Sequence, residues 1–470
     1  MKRQSFSLRC IPSCTFPHLA QDLNKTARLA APLVAGHVSA GLIGFIDNVI
    51  AGNHSTNTLS GSAIGTAVFW LAMAVPMGTL MALPPSVAQL NGAGRRADIA
   101  PLFRQALWLA LGLGVMLTGL LGWVVQAFEP LGIDAQILPA ATAFVRGVRW
   151  SMPALALYFC MRYLSDGLHW TLPAMMFGFG GVLVLLPLGW ALTFGVDGWL
   201  PEMGAYGLGL ASSITIWIQA LGLGGYLARA RRFADLQLFA QFEPPRWAVI
   251  AGLLKTGLPI CIMVAMEGGL FILTALLMGR MGEVQVAAHQ IAINVASLAY
   301  MIPFGISEAT TVRVGHAVGR GLGTDGVRRA ALASLVLVLM TQTVSALLLL
   351  LGHDVIVRLY TTDTAVMTLA ASLLLLAAAY QFPDGIQVLF AGTLRGLKDT
   401  RVPMLLAMFA YWCVGMPLVV WLGLGSGSGL GPGLGPKGMW MGLIAGLSVA
   451  ALLLTLRFWH SSRHRAAMPS

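Results

Sequence analysis

Twelve stretches long and apolar enough to cross a bilayer fill this chain and leave little room for any other kind of fold. A spanning helix needs about 20 mostly apolar residues. Such stretches run near 28 to 51, 60 to 86, 103 to 126, 137 to 160, 171 to 195, 204 to 228, 250 to 278, 285 to 309, 328 to 352, 364 to 392, 402 to 424 and 438 to 457. They account for a chain that is 57% hydrophobic and 10% charged, with a mean hydropathy of +0.78, against about 25% charged residues in soluble domains. The expected fold is an all-α integral membrane protein.

An even number of spans puts both termini on one side, and charge says which side that is. Lys2, Arg3, Arg9, Lys25 and Arg28 precede the first span, and later basic residues recur in alternate connections. These are Arg95, Arg96 and Arg104; Arg162; Arg229, Arg231, Arg232, Arg246 and Lys255; Arg313, Arg320, Arg328 and Arg329; Arg395, Lys398 and Arg401; and Arg457, Arg463 and Arg465. The opposite connections hold only Arg146, Arg149, Arg280, Arg358 and Lys437. The positive-inside rule then makes the termini cytoplasmic. The same loop anchors explain the net charge of +11 without a nucleic-acid surface.

The amino terminus starts basic but has no uninterrupted apolar core, so a short cytoplasmic tail is expected rather than a cleaved signal peptide. Cys10 and Cys14 have no second pair, and Cys160, Cys261 and Cys413 fall in or beside spans; all read as packing thiols rather than a zinc site. The Gly-rich run at 423 to 438 lacks the Lys-Ser/Thr ending of a phosphate loop and reads as flexible. The longest polar interruption, RARRFADLQLFAQFEPPRW at 229 to 247, reads as a linker between halves.

The halves repeat at a constant offset of 227 positions: Arg28 matches Lys255, Pro32 matches Pro259, Gly52 matches Gly279, Pro76 matches Pro303, Gly78 matches Gly305, Gly92 matches Gly319 and Gly94 matches Gly321. The offset spans six helices, so the halves share membrane orientation, as parallel repeats about an axis along the membrane normal. The expected organisation is a tail (1–27), a six-helix bundle (28–228), a linker (229–249), a second six-helix bundle (250–457) and a tail (458–470), with a central cleft between the bundles.

Three carboxylates interrupt the apolar runs: Asp47, Glu267 and Asp384. An intramembrane charge costs several kcal/mol unless paired, protonated or wet, and such residues mark ion or substrate paths. Glu267 lies 12 residues (267 − 255) past Lys255 and Asp384 lies 11 residues (395 − 384) before Arg395. At 1.5 Å per residue both sit roughly 16 to 18 Å from the cytoplasmic boundary. Two carboxylates at one depth in low dielectric should share a proton or enclose a cation, and Na+, like other hard cations, prefers oxygen ligands. Tyr380, one turn before Asp384, offers a hydroxyl or a ring face. Asp47, 19 residues past Arg28, falls roughly 28 Å from that boundary. Neither Asp47 nor Glu267 has an acidic twin in the other half, since they match Thr274 and Ala40.

The stretch AAHQIAINVASLAYMIPFGISEATTVRVGHAVGRG (287–321) closely resembles the signature of the multidrug and toxic compound extrusion (MATE) family, in its NorM-like bacterial branch. GLPICIMVAMEGGLFIL from Gly257, FPDGIQVLFAGTLRGLKDT from Phe382 and FIDNVIAG in the first span resemble further motifs of that branch. The resemblance implies a multi-pass bacterial inner-membrane antiporter, not an enzyme and without a cofactor. It would export organic cations, dyes and other amphipathic drugs in exchange for Na+ or H+. The expected partners are those small molecules and membrane lipid, with the chain taken as a monomer, although the sequence does not fix the oligomeric state. The resemblance implies coupling or substrate roles for Asp47, Glu267 and Asp384, and for Tyr380 more weakly; the paired carboxylates Glu267 and Asp384 are the candidate ligands if the coupling ion is Na+. Where the branch often carries Asn residues in helix 5, this chain has Leu185 and Gly189, which inclines the reading toward Na+ at the carboxy-terminal pair. The rival transporter reading is a flippase for lipid or polysaccharide precursors from the same superfamily, for which a basic cavity is expected. A membrane-embedded enzyme would need a catalytic constellation that the chain lacks.

The remaining polar residues read as structural. Glu308 is expected to be solvated or paired with an arginine, His289 to make a satisfied polar contact, and Arg395 to anchor the inner end of helix 10. Arg313, Gly315, Gly319 and Gly321 are expected to form a tight turn at a helix end.

Overall fold

The computed structural model describes residues 16–130, 133–196, 199–425 and 433–465. Cys10, Cys14 and residues 426–432 of the Gly-rich run lie outside the described residues. The first half forms α1 (Phe16–His54), α2 (Thr56–Leu80), α3 (Leu83–Gly92), α4 (Ile99–Val124), α5 (Leu138–Val148), α6 (Met152–Gly167), α7 (Leu172–Phe194) and α8 (Gly204–Arg229). The second forms α9 (Trp247–Gly279), α10 (Glu283–Gly319), α11 (Gly323–Tyr360), α12 (Thr364–Gly396), α13 (Arg401–Met408), α14 (Met416–Leu424) and α15 (Pro436–Arg465).

Eleven helical runs among the described residues have the length and hydropathy of a span. The remaining crossing is α5 and α6, joined through a 3₁₀ turn at Arg149–Ser151. Its hydropathy is lowered by Arg146, Arg149, Arg162 and Asp166. α13 and α14 are likewise one crossing, joined by a π-helical segment, Phe409–Gly415. Large apolar side chains face outward without protein cover, Leu183 at 76% and Leu351 at 85% exposure. A soluble surface avoids such a coat, and lipid welcomes it.

Local sequence sets the helix ends. Ser55 caps α2 by accepting from Thr58 N–H, and Asp363 caps α12 by accepting from Ala365 and Val366. Prolines open α3, α5, α6 and α7, where no N–H is needed. Gly195 and Gly425, at φ 80° and 72°, close α7 and α14. The linker is held by Arg104 of α4, which donates to Leu238 O at 3.0 Å, Gln237 O at 2.8 Å and Glu243 at 2.5 Å.

The repeat is visible in the coordinates. The run from α2 to α3 spans Thr56–Gly92 and α10 spans Glu283–Gly319, so both ends are offset by 227 (283 − 56 and 319 − 92). Across the seam between bundles, a side-chain carbon on Gly78 would strike Cys261, and one on Gly305 would strike Val34. These are the same contact seen from the two halves, because 34 and 78 shifted by 227 give 261 and 305. Gly92 and Gly319, also repeat mates, abut each other, which places them at the pseudo-two-fold axis.

Among the described residues, the hydrogen bonds and ion pairs between bundles lie toward one end, where α1 begins and α15 finishes, here termed the tail side. Gln89 donates to Gly396 O at 2.9 Å, Arg313 pairs with Asp22 at 2.6 Å and bonds Thr26, and Leu29, Leu33, Ala88, Ile306, Val312 and Leu389 form one shared apolar cluster. At mid-height Gly41 faces the Met301 methyl. Beyond it the same helical faces are bare: Leu42 and Phe45 on α1, and Gln290, Asn294 and Leu298 on α10, are exposed. The bundles therefore part into a cleft on the far side.

Candidate functional site

In the carboxy-terminal bundle, α9 carries Glu267 and α12 carries Tyr380, Gln381, Asp384 and Gln387 within about two turns. The α12 residues are buried, and Glu267 is half-buried. Glu267 and Asp384 lie within electrostatic reach of each other and of Tyr300 and Tyr380. One hydrogen-bonded chain orders the site. The Tyr411 hydroxyl donates to Gln387 Oε1 at 2.8 Å, and Gln387 Nε2 donates to Glu267 Oε1 at 2.8 Å. Because Tyr411 occupies the Gln387 carbonyl, the amide is oriented with its N–H toward the carboxylate.

The same region holds acceptor oxygens with nothing to accept. Asp384 Oδ1, Gln381 Oε1 and Gln342 Oε1 are buried without a hydrogen-bond partner among the described residues, although Gln342 Nε2 reaches Gln381 O at 3.1 Å. Pro383, next to Asp384, has no N–H to give the Ala379 carbonyl one turn earlier. Unsatisfied buried oxygens are costly in native proteins and call for a proton, a water or a cation. Tyr380 packs by its ring edge against Phe271 and Trp440, with centroids 6.3 and 5.5 Å apart.

Asp47 lies in the other bundle. It is half-buried on α1, and Ser212 Oγ of α8 lies 3.3 Å from both carboxylate oxygens and 3.2 Å from Leu208 O. A single hydroxyl proton serves one of these acceptors at a time, so the acid is weakly held. On its α7 side Leu185 is buried and Gly189 abuts Ile50. No group of three His, Cys, Asp or Glu side chains fit for a metal occurs among the described residues.

A third cluster ties the bundles together on the tail side. Glu308 of α10 takes His37 Nε2 of α1 at 2.8 Å and Arg162 of α6 at 3.1 Å, while Arg162 also faces Asp166 at 3.5 Å. Glu308 is thus arginine-paired as expected, but with an arginine from the other bundle. Three sequence expectations need correction here. Arg162 is not a loop anchor but a buried residue of α6, held by two acids. Arg395 does more than anchor a helix end. It is 5% exposed, donates to Ser307 Oγ at 3.0 Å and contacts Met81 of the opposite bundle at 3.1 Å. Arg313 and Gly315 do not form a turn, because α10 runs unbroken to Gly319 and Gly315 packs on Pro85 and Ala88; the turn comes at Gly321, φ 66°. His289 makes the expected polar contact, taking Trp440 Nε1–H at 3.2 Å.

Sequence reasoning missed Gln387, Tyr411, Ser212, His37 and the inward role of Arg162. Gln387 stands three residues after Asp384 on one helix face, and Arg162 and Asp166 stand four apart in an apolar run. Both spacings were visible signals. Tyr411 and Ser212 come from distant elements and carried none.

Comparison with known proteins agrees with this geometry. A model of the MatE family matches residues 32–191 and 259–421, two segments whose starts are themselves 227 apart (259 − 32). The probable multidrug resistance protein NorM of Xanthomonas campestris pv. campestris is 61% identical over 456 residues, covering 97% of this chain and 98% of that protein. The multidrug resistance protein PmpM of Pseudomonas aeruginosa is 39% identical, with 94% and 92% covered. The crystal structure of the eukaryotic MATE transporter AtDTX14 superposes with a TM-score of 0.84 at 19% identity, covering 96% of this chain and all of that one. That likeness gives the fold alone.

Proposed function

This chain belongs to the MatE family, and on that premise we propose that it is a NorM-like antiporter exporting amphipathic, mostly cationic drugs and dyes across the bacterial inner membrane in exchange for Na+ or H+. The observation that carries the reading is the pairing of half-buried Glu267 with buried Asp384 beside acceptor oxygens that lack partners among the described residues. Two acids and idle carbonyl oxygens suit a small hard cation or a shared proton. Tyr380 stands at the edge of this set as the weaker member. The names of the relatives, multidrug resistance proteins, supply the substrate class.

By the positive-inside rule the tail side is cytoplasmic, so the cleft opens outward. Exchange requires the opposite state as well, with the seam open and the far side closed. Asp47, poorly held by Ser212, is assigned to protonation, substrate contact or both in the amino-terminal bundle. Cation in one bundle and drug in the cleft then bias the same two-state rocking, and each weakens the other's binding reciprocally. The test is ethidium transport in proteoliposomes under an imposed Na+ gradient and, separately, an H+ gradient. Gradient-driven uptake opposite to the cation supports the reading; ethidium movement indifferent to both gradients overturns it.

A further inference from the structure

A second site lies outside the cleft, on the tail side, in a cavity of about 610 Å³. Its walls come from both bundles: α1 and the turn between α6 and α7 on one side, α10 and α11 on the other. Five fixed cations line it, Lys25, Arg28, Arg313, Arg320 and Arg329, with Asp22 as the one lining carboxylate. Asp22 is already taken by Arg313, at 2.6 Å. Lys25, Arg28, Arg320 and Arg329 have no hydrogen bond or ion pair of the side chain among the described residues, and all four are exposed. The cavity wall also carries His169 and His316, stacked edge to face at 4.8 Å between ring centroids. Burial foremost, then His316, Arg313 and Arg232, push His169 down to about 4, so this imidazole is uncharged at neutral pH.

Four exposed cations around one hollow, without an acid partner among the described residues, give it a positive potential that attracts an anion. Arginine forks match phosphate oxygens, and basic pockets between helices at a membrane's inner face are suited to anionic headgroups. The volume falls in the range of small-ligand sites, and Leu29, Pro32 and Leu172 give the hollow an apolar flank. We propose that this pocket binds a phosphate-bearing anion, either the headgroup of an anionic phospholipid or a soluble phosphate, and that the bound anion clamps the two bundles together on the tail side. Because the lining is divided between bundles, parting the seam separates the cations, and the anion binds the closed-seam state better. By linkage, bound anion favours the outward-open cleft.

The experiment uses the full chain in phosphatidylcholine nanodiscs with and without phosphatidylglycerol, with inorganic phosphate as the soluble probe. The pocket variant is Lys25→Gln/Arg28→Gln/Arg320→Gln/Arg329→Gln. The control, Arg229→Gln/Arg231→Gln/Arg401→Gln/Arg463→Gln, removes the same charge from the tail side outside the pocket. Lipid retained through detergent is read by native mass spectrometry, and phosphate competes for it. The expected result is retention of phosphatidylglycerol that is at least ~10-fold weaker in the pocket variant than in the control. Displacement of the lipid by inorganic phosphate identifies a soluble source as well; no displacement identifies the headgroup. Equal retention in all three proteins, or equal loss in both variants, overturns the proposal. If the quadruple variant does not accumulate, Arg28→Gln/Arg329→Gln is measured in the same way with the same two outcomes.

Discussion

Glu308→Gln isolates the seam from the rest of the molecule. Glu308 belongs to the second bundle, and its two partners, His37 at 2.8 Å and Arg162 at 3.1 Å, belong to the first. The substitution keeps the shape and leaves Arg162 beside Asp166, so no buried arginine is orphaned and the fold should survive. What disappears is a charge-assisted bond made only while the seam is closed. Such bonds contribute about 1.5–3 kcal/mol, which moves a two-state ratio by about 10- to 150-fold. Spin labels at Ala97→Cys and Asp325→Cys, exposed positions on opposite bundles at the tail side, report the separation by pulsed electron resonance in a background without the five native cysteines. The expected outcome is a second, longer distance gaining population by that factor relative to wild type. An unchanged distribution would refute the assignment of Glu308 as a latch between bundles.

Gln387→Leu leaves Glu267 Oε1 and the Tyr411 hydroxyl without their bonds, about 1–3 kcal/mol for each buried group, and should weaken the cation dependence of transport about tenfold or more while the protein remains in the membrane. Gly319→Val puts a branched side chain into the Gln89 backbone; overpacking of about 1–3 kcal/mol should hold the seam apart and lengthen the same label distance. Arg104→Ala strips Glu243 and the carbonyls of Gln237 and Leu238 of their donor, and loss of a buried partner of this kind costs about 3–5 kcal/mol. Limited proteolysis should then cut the linker faster than in wild type.

Much of this was legible in the sequence, because lipid leaves few solutions. Apolar length gave the spans, and the 227-residue register gave two bundles whose matched glycines do meet at the seam. Depth counting put Glu267 and Asp384 at one level, and they are neighbours, even though Arg395, the residue counted from, proved buried rather than at a boundary. The same assumption, that an arginine near a span end faces water, hid the Arg162–Glu308 latch. Sequence position carries depth along a helix but not which arginines find acids on a different helix. Tyr411 illustrates the limit: it reaches Gln387 from a π-helical segment inside an apolar run, and no spacing announces that contact.

In the proposed exchange, Glu267 and Asp384 hold the coupling cation, and its release accompanies drug binding. Ethidium added to purified protein loaded with radioactive sodium, or held in weak buffer for proton counting, should release cation from the wild type. Glu267→Gln and Asp384→Asn, with unaltered folding, should release none. Release from both variants equal to that of the wild type would contradict the account.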